Sequence, residues 1–184
     1  MNNKKIKILT IYGSPRKNGN TDELMKSFER GINENNYLTD SGLMIESLFI
    51  RKMNFSPCIE CRHCSIDGEC LIKDDMQQAY LKLIEADLIA VSSPVFFVSV
   101  SALLKSFIDR CQRFWSLKYE LKKRIIKKDR VGIFISAAVA DNIAIFDCSK
   151  KVIKEFFNVL YVKYEKNFLY NKIDNKGDIL KKPE

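Results

Sequence analysis

Short apolar runs alternate with amphipathic stretches along this chain, the pattern of βα units that build a parallel sheet covered on both faces. Ile6 to Tyr12 (IKILTIY) reads as a buried first strand. Thr21 to Ile32 reads as a helix, with Leu24, Phe28 and Ile32 on one face and Asp22 and Glu23 in a first turn where acidic side chains favour the helix dipole. Leu43 to Ile50 is a second strand. Residues 51–72 hold Pro57, Gly68 and four cysteines with no clean period, and so form a long loop of the kind that carries function. The helical period returns from Lys73, with Met76, Ala79, Tyr80, Leu83 and Ile84 on one face behind Asp74 and Asp75. Asp87 to Ser92 is a third strand. Leu104, Phe107, Ile108, Cys111 and Trp115 mark a helix that begins near Val100. Val131 to Ala137 is a fourth strand, Val152, Ile153, Phe156, Phe157 and Leu160 mark a further helix, and Lys163 to Tyr170 forms a fifth, edge strand.

Five strands with intervening helices fit an α/β, doubly wound parallel sheet of order 2-1-3-4-5, in which ligands bind beyond the carboxyl ends of the strands. The loops after strands one, three and four are therefore where a site is expected. The 184 residues fit a single domain over 1–184, with the cysteine-rich loop inserted after strand two.

Composition narrows the class. Apolar residues make up 46% and charged residues 29%, and no apolar run approaches the roughly 18 to 20 residues of a membrane span. The N-terminus passes straight into a strand pattern without an apolar leader core, which gives the cytoplasm as the expected compartment. The net charge is +8, densest at Lys118 to Arg130, a stretch that reads as a solvated helix end and loop. Without aromatic interleaving or a nucleic-acid motif, no nucleic-acid partner is expected. A basic surface also suits an anionic nucleotide or an acidic redox partner.

The loop after strand one runs Gly13-Ser14-Pro15-Arg16-Lys17-Asn18-Gly19-Asn20-Thr21 and opens directly into a helix. Backbone N–H groups at the positive helix end, side-chain donors from Ser14, Asn18, Asn20 and Thr21, and the Arg16 guanidinium together make an anion site. The dinucleotide fingerprint G-x-G-x-x-G is absent, and the spacing and the Asn-Thr ending exclude a P-loop. A turn of this composition that only caps the helix is the plainer alternative.

Strand three leads into Ser92-Ser93-Pro94-Val95-Phe96-Phe97-Val98-Ser99-Val100-Ser101, ahead of a helix containing Lys105 and Ile108-Asp109-Arg110. Pro94, Val95, Phe96 and Phe97 could present backbone groups and apolar faces to a flat ring; the two aromatics would equally fit a core. Together the two loops resemble the NADPH-dependent FMN reductase family of flavodoxin-like proteins, which carries a GSPR-x-x-G-N-T loop, a later SPVY-F-G-S-V-S-A segment and a K-x-F-I-D-R helix. The resemblance runs from strand one to Arg110. It implies that Ser14, Arg16, Asn18, Asn20 and Thr21 hold an FMN phosphate, and that Pro94 to Phe97 lie against the isoalloxazine. Phe96 stands where tyrosine is common and Val98 where glycine is common, and Ala137 to Asn142 lacks the glycine pair often found after strand four.

Cys58, Cys61, Cys64 and Cys70 form a C-x2-C-x2-C-x5-C array within thirteen residues. Such density in a cytoplasmic chain points to metal rather than disulfides, and successive x2 spacing is closer to iron–sulfur ligation than to the paired spacing of structural zinc. The array also resembles that of the iron-sulfur flavoprotein branch of the same family, where four such cysteines hold a [4Fe-4S] cluster; zinc or free thiols remain alternatives. His63 sits inside the array with no nucleophile to pair with. Cys111 and Cys148 read as structural.

The expected function is an FMN-dependent electron-transfer oxidoreductase joining FMN to a [4Fe-4S] cluster, with NAD(P)H or ferredoxin as donor and a redox protein or small molecule as acceptor. A clusterless NAD(P)H-dependent FMN, quinone or nitro reductase is the alternative on the same scaffold, and a zinc-binding or regulatory module the alternative from another class. No side chain is expected as an essential acid or base. The resemblance further implies a homodimer or homotetramer.

Overall fold

The structure is a computed structural model, and it describes residues 5–35, 42–126 and 128–182. The elements in chain order are β1 (Ile6–Tyr12), α1 (Asn20–Asn33), β2 (Leu43–Phe49), α2 (Cys64–Asp67), α3 (Met76–Glu85), β3 (Leu88–Phe96), β4 (Ser99–Val100), α4 (Ala102–Arg110), α5 (Gln112–Trp115), β5 (Val131–Ala137), α6 (Asp147–Val159) and β6 (Lys163–Tyr170). Single 3-10 turns at Ile50–Lys52, Ile143–Phe146 and Asp178–Lys181 and a π-type turn at Ser116–Glu120 complete the path.

Five strands pair in the order β2-β1-β3-β5-β6, all parallel, which is the doubly wound order expected from the sequence once β4 is set aside. Two-residue β4 adds a sixth strand, folding back antiparallel on the end of β3 with Phe96 opposite Ser99. β3 therefore runs on to Phe96, past the Ser92 boundary that the apolar run gives. The helix expected from Val100 to Trp115 breaks at Cys111 into α4 and α5.

Side chains alternate across the strands. Leu9, Ile11, Ile89, Val91 and Phe134 face a core closed by Tyr80 and Leu83 of α3, Leu104 and Phe107 of α4, and Phe156 and Phe157 of α6. Tyr12, Ala90 and Ile135 face the other way, onto Met25 of α1 with Leu24 and Phe28 beside it. That second face is completed by Ile173 and Ile179 of the C-terminal segment, packed on Ala137. Arg130, buried ahead of β5, donates to the carbonyls of Leu83, Ala86 and Leu160, and so satisfies the exposed ends of α3 and α6 with one guanidinium. Burial holds its pKa down to about 10.

Candidate functional site

Gly13 ends β1 within hydrogen-bond reach of β3: its N–H donates to Ser92 O at 2.8 Å. A Cβ here would stand 2.7 Å from Ser92 O and 2.9 Å from Leu104 Cδ2, so only glycine allows the approach. Beyond it the loop is tied to itself. Ser14 Oγ accepts the Arg16 N–H at 3.1 Å, and Asp22 Oδ2 accepts the Asn18 N–H at 2.9 Å, with Asn18 in the left-handed region at φ 54°. Asp22 is fully buried against Arg51, whose guanidinium approaches to 2.9 Å and also donates to Ser14 O. Arg51 follows β2, next to the end of β1, and it is the residue that braces this loop; its position after an apolar strand run was the only signal for it in the sequence.

That bracing leaves an anion cradle open. Among the described residues, the backbone N–H groups of Gly19, Asn20 and Thr21, the Thr21 hydroxyl and the Arg16 guanidinium have no acceptor within the protein. All but the last lie at the N-terminus of a fourteen-residue helix, where the dipole favours negative charge.

Buried serines hold the next loop against the first. Ser101 Oγ donates to Gly13 O and accepts from Leu104 N, Ser93 Oγ accepts from Ser101 N at 3.0 Å, and Ser136 Oγ donates to Ser93 O at 2.7 Å. Three strand ends are thus cross-linked by hydroxyls with no water needed. Beyond them β3 and β4 close a two-residue hairpin at Phe97 (φ 47°) and Val98 (φ 64°), the pattern of a type I′ turn. Phe96 is half exposed and Phe97 is 103% exposed, so neither is core.

A cavity of about 230 Å³ lies between the two loops. Of the residues singled out in the sequence, Ser14, Arg16, Asn20, Thr21, Pro94, Val95 and Phe96 line it. Ala137 and Ala138 after β5 close a third side, and Ile173 and Asp174 a fourth. Asn18 stands off the lining, its Oδ1 accepting from Lys26 Nζ, and Phe97 projects from the hairpin tip. The contribution of Ile173 and Asp174 was not visible in the sequence, because no motif marks the segment after the edge strand.

Cys58, Cys61, Cys64 and Cys70 all line a second cavity, of about 490 Å³, between the loop after β2 and the α4–α5 junction. The loop is fastened at its base, where Asp75 accepts the Asn54 N–H and Asp74 accepts the Ser56 N–H. Glu60 (φ 53°) and Arg62 (φ 57°) flank Cys61 in the left-handed region, and α2 ends on Gly68 at φ 88°. A Cβ on Gly68 would meet Leu117 at 2.3 Å.

Arg110 closes the floor. Its buried guanidinium bonds both oxygens of Asp74, at 2.6 and 3.1 Å, and also reaches Ser56 O, Ile72 O and, at 3.5 Å, Cys70 Sγ. Burial pushes the Asp74 carboxyl up, but the bonds from Arg110 and from the Met76 and Ser56 N–H groups hold it below its ordinary value. Arg113 lies alongside, paired with Glu69 at 2.6 Å. The Nε atoms of both arginines are buried with no partner from the described residues. Among the described residues no three His, Cys, Asp or Glu side chains are drawn together into a group that could hold a metal ion.

The donor set nevertheless fits a polynuclear iron–sulfur group. Four soft sulfurs border one space, two buried cations face it with donors to spare, and the backbone N–H groups of Cys58 to His63 have no acceptor among the described residues. Cationic and N–H donors of this kind stabilise anionic thiolate-ligated clusters.

The other two cysteines differ from each other. Cys111 is buried in the core, and burial raises its thiol pKa. Cys148 is exposed in the first turn of α6 and holds no core position. No helix among the described residues is long and apolar enough to cross a membrane.

Residues 6–162 match the NADPH-dependent FMN reductase family. The chain belongs to this family. Its relatives include an iron-sulfur flavoprotein of Methanocaldococcus jannaschii, 35% identical over 120 residues that cover 65% of this chain and 58% of that protein. An iron-sulfur flavoprotein of Archaeoglobus fulgidus is 34% identical over 105 residues, covering 57% of this chain and 45% of that one. This member of the FMN reductase family thus spans about half the length of these relatives. Among solved structures, the NAD(P)H:quinone oxidoreductase from Methanothermobacter marburgensis shares the fold with a TM-score of 0.73 at 16% identity, over 97% of this chain and 90% of that one.

Proposed function

We propose that this protein is an FMN-binding oxidoreductase that passes electrons between FMN in the first cavity and a [4Fe-4S] cluster held by Cys58, Cys61, Cys64 and Cys70. The observation that carries the reading is the convergence of two separated sequence motifs on one cavity with an open anion cradle, beside a second cavity bordered by all four clustered cysteines. Arg16, Thr21 and the N–H groups of Gly19 to Thr21 take the phosphate, and Pro94, Val95 and Phe96 lie against the ring. FMN supplies acceptance of two electrons as hydride and their release one at a time, the interval a one-electron cluster requires. The chain's own part is to bind, orient and shield: the serine cross-links fix the two loops, and Arg110 and Arg113 place positive charge beside the cysteines.

The iron-sulfur flavoproteins among the relatives support the cysteine assignment. A clusterless NAD(P)H-dependent reductase is the second reading, favoured by the likeness in fold to a quinone oxidoreductase. The reading also takes the protein as a homo-oligomer, supported by the full exposure of Phe97 beside the cavity and read directly by sedimentation.

Protein purified without oxygen separates these readings. Flavin absorption bands with about four iron and four labile sulfide per chain are expected, and a Cys61→Ser variant should lose iron while keeping flavin. Flavin without iron gives the second reading. A colourless protein that takes up neither overturns both, and zinc in its place gives a metal-binding module.

A further inference from the structure

Both polar atoms of the Asn20 side chain are already engaged. Nδ2 donates to Asn175 O at 2.8 Å, while Oδ1 accepts the Gly177 N–H at 2.9 Å and the Ile179 N–H at 3.5 Å. Asn20 is the first residue of α1, so these bonds fasten a segment lying 155 residues further along onto the mouth of the phosphate loop.

The fastened segment is a built element. Ile173 N–H donates to Ala138 O at 3.0 Å, and the Asp178 carboxylate accepts the Asn175 N–H at 2.7 Å while Asp178 N–H donates to Asn175 O at 3.1 Å, closing a turn. Ile173 and Ile179 are buried on Ala137 with Leu24 alongside. Ile173 and Asp174 then line the cavity, whose volume of about 230 Å³ is below the ~300–1,000 Å³ usual for small-molecule sites. Asp174, whose carboxylate only accepts hydrogen bonds, suits a hydroxyl donor.

We propose that Asn20 is a clasp rather than a phosphate ligand, and that the segment 173–179 it holds is the wall by which the site selects a flavin mononucleotide over the dinucleotide FAD. This rests on the FMN reading above. The adenylyl group of FAD is joined to the same phosphate that the N–H groups of Gly19 to Thr21 would hold. Any extension of the ligand therefore begins at the end of the cavity that Asn20 keeps closed. Asn20 is a positioning residue: it acts on the ligand through the segment.

Two variants release the clasp differently. Asn20→Ala removes the three bonds. Gly177→Ala leaves α1 and the loop untouched: an added Cβ meets nothing within 4 Å, and at φ +90° alanine acts only by straining the segment. Amide exchange at residues 173–181 and the dissociation constants for FMN, riboflavin and FAD, read by flavin fluorescence, form the test. The intact chain is expected to bind FMN at least about 100-fold tighter than FAD, and both variants to lose protection at 173–181 and to narrow that ratio about tenfold or more, chiefly by tighter FAD binding. The proposal is overturned if the segment loses protection and the ratio stays put. It is also overturned if Asn20→Ala weakens FMN but not riboflavin with the segment still protected, which makes Asn20 a phosphate ligand. An intact chain that binds no flavin sinks the FMN reading itself, a result distinct from an unchanged ratio.

Discussion

The Ser101 hydroxyl donates to Gly13 O at 2.5 Å and accepts the Leu104 N–H at 3.1 Å, so one side chain both caps α4 and fixes the loop after β1. Ser101 is buried, and removing its oxygen leaves an acceptor and a helix N–H without partners. Ser101→Ala should cost about 1–3 kcal/mol of stability and weaken FMN binding several-fold while the far-UV spectrum is kept. Thermal unfolding and flavin titration read both effects. An unchanged midpoint with unchanged affinity would show that the serine cross-links do not position the site.

Val98 adopts φ 64°, a conformation unfavourable for a β-branched residue, at the second position of the hairpin turn. Glycine is at home there. Val98→Gly should stabilise the chain by about 0.5–1 kcal/mol, raising the midpoint by about 1–4 °C for a chain of this size. A lower midpoint would mean that the exposed Val98 side chain makes a stabilising contact outweighing the turn geometry.

The Asp74–Arg110 pair gives the cysteine loop a pH signature. The folded-state pKa of Asp74 lies below its ordinary 3.8, so its stabilising contribution is complete above that value and disappears as the pH falls through the folded pKa. Asp74→Asn should lose about 3–5 kcal/mol near neutral pH, because Arg110 is left buried without its counter-charge. Its stability should then fall less steeply than that of the intact chain below about pH 4. Denaturant titrations at several pH values compare the slopes, and parallel curves would remove Asp74 from the account.

Much of the frame was legible because it rests on periodicity: β1, β5 and β6 lie where the apolar runs put them, and the strand order follows from βα alternation. The two loops that border the first cavity stood out because close backbone approach restricts residue choice, as at Gly13. What the sequence did not show depends on long-range pairing. Arg51 reaches Asp22 and Ser14 across a parallel strand pair, and Arg110 meets Asp74 36 residues away. Local pattern carries no signal for such partners, although arginine on an apolar helix face and paired serines inside the β3 run mark positions that must find one. The C-terminal wall escaped for the same reason: its fastening point is an asparagine that reads locally as a phosphate donor.

The anion cradle makes the most direct claim on function. Among the described residues, Arg16 is exposed with its guanidinium unengaged, and Thr21 is buried at the helix start with its hydroxyl turned to no acceptor. Neither braces the loop, a task left to Asp22 and Arg51, so both can be removed without disturbing the fold. The double variant Arg16→Ala, Thr21→Ala should unfold within about 1 kcal/mol of the intact chain yet bind FMN about 100-fold more weakly, since charge-assisted and neutral bonds to the phosphate are lost together. Riboflavin, which has no phosphate, should bind both proteins alike. Equal loss for the two ligands would move the contact from the phosphate to the ring, and undiminished FMN affinity would refute the placement of the phosphate at this helix.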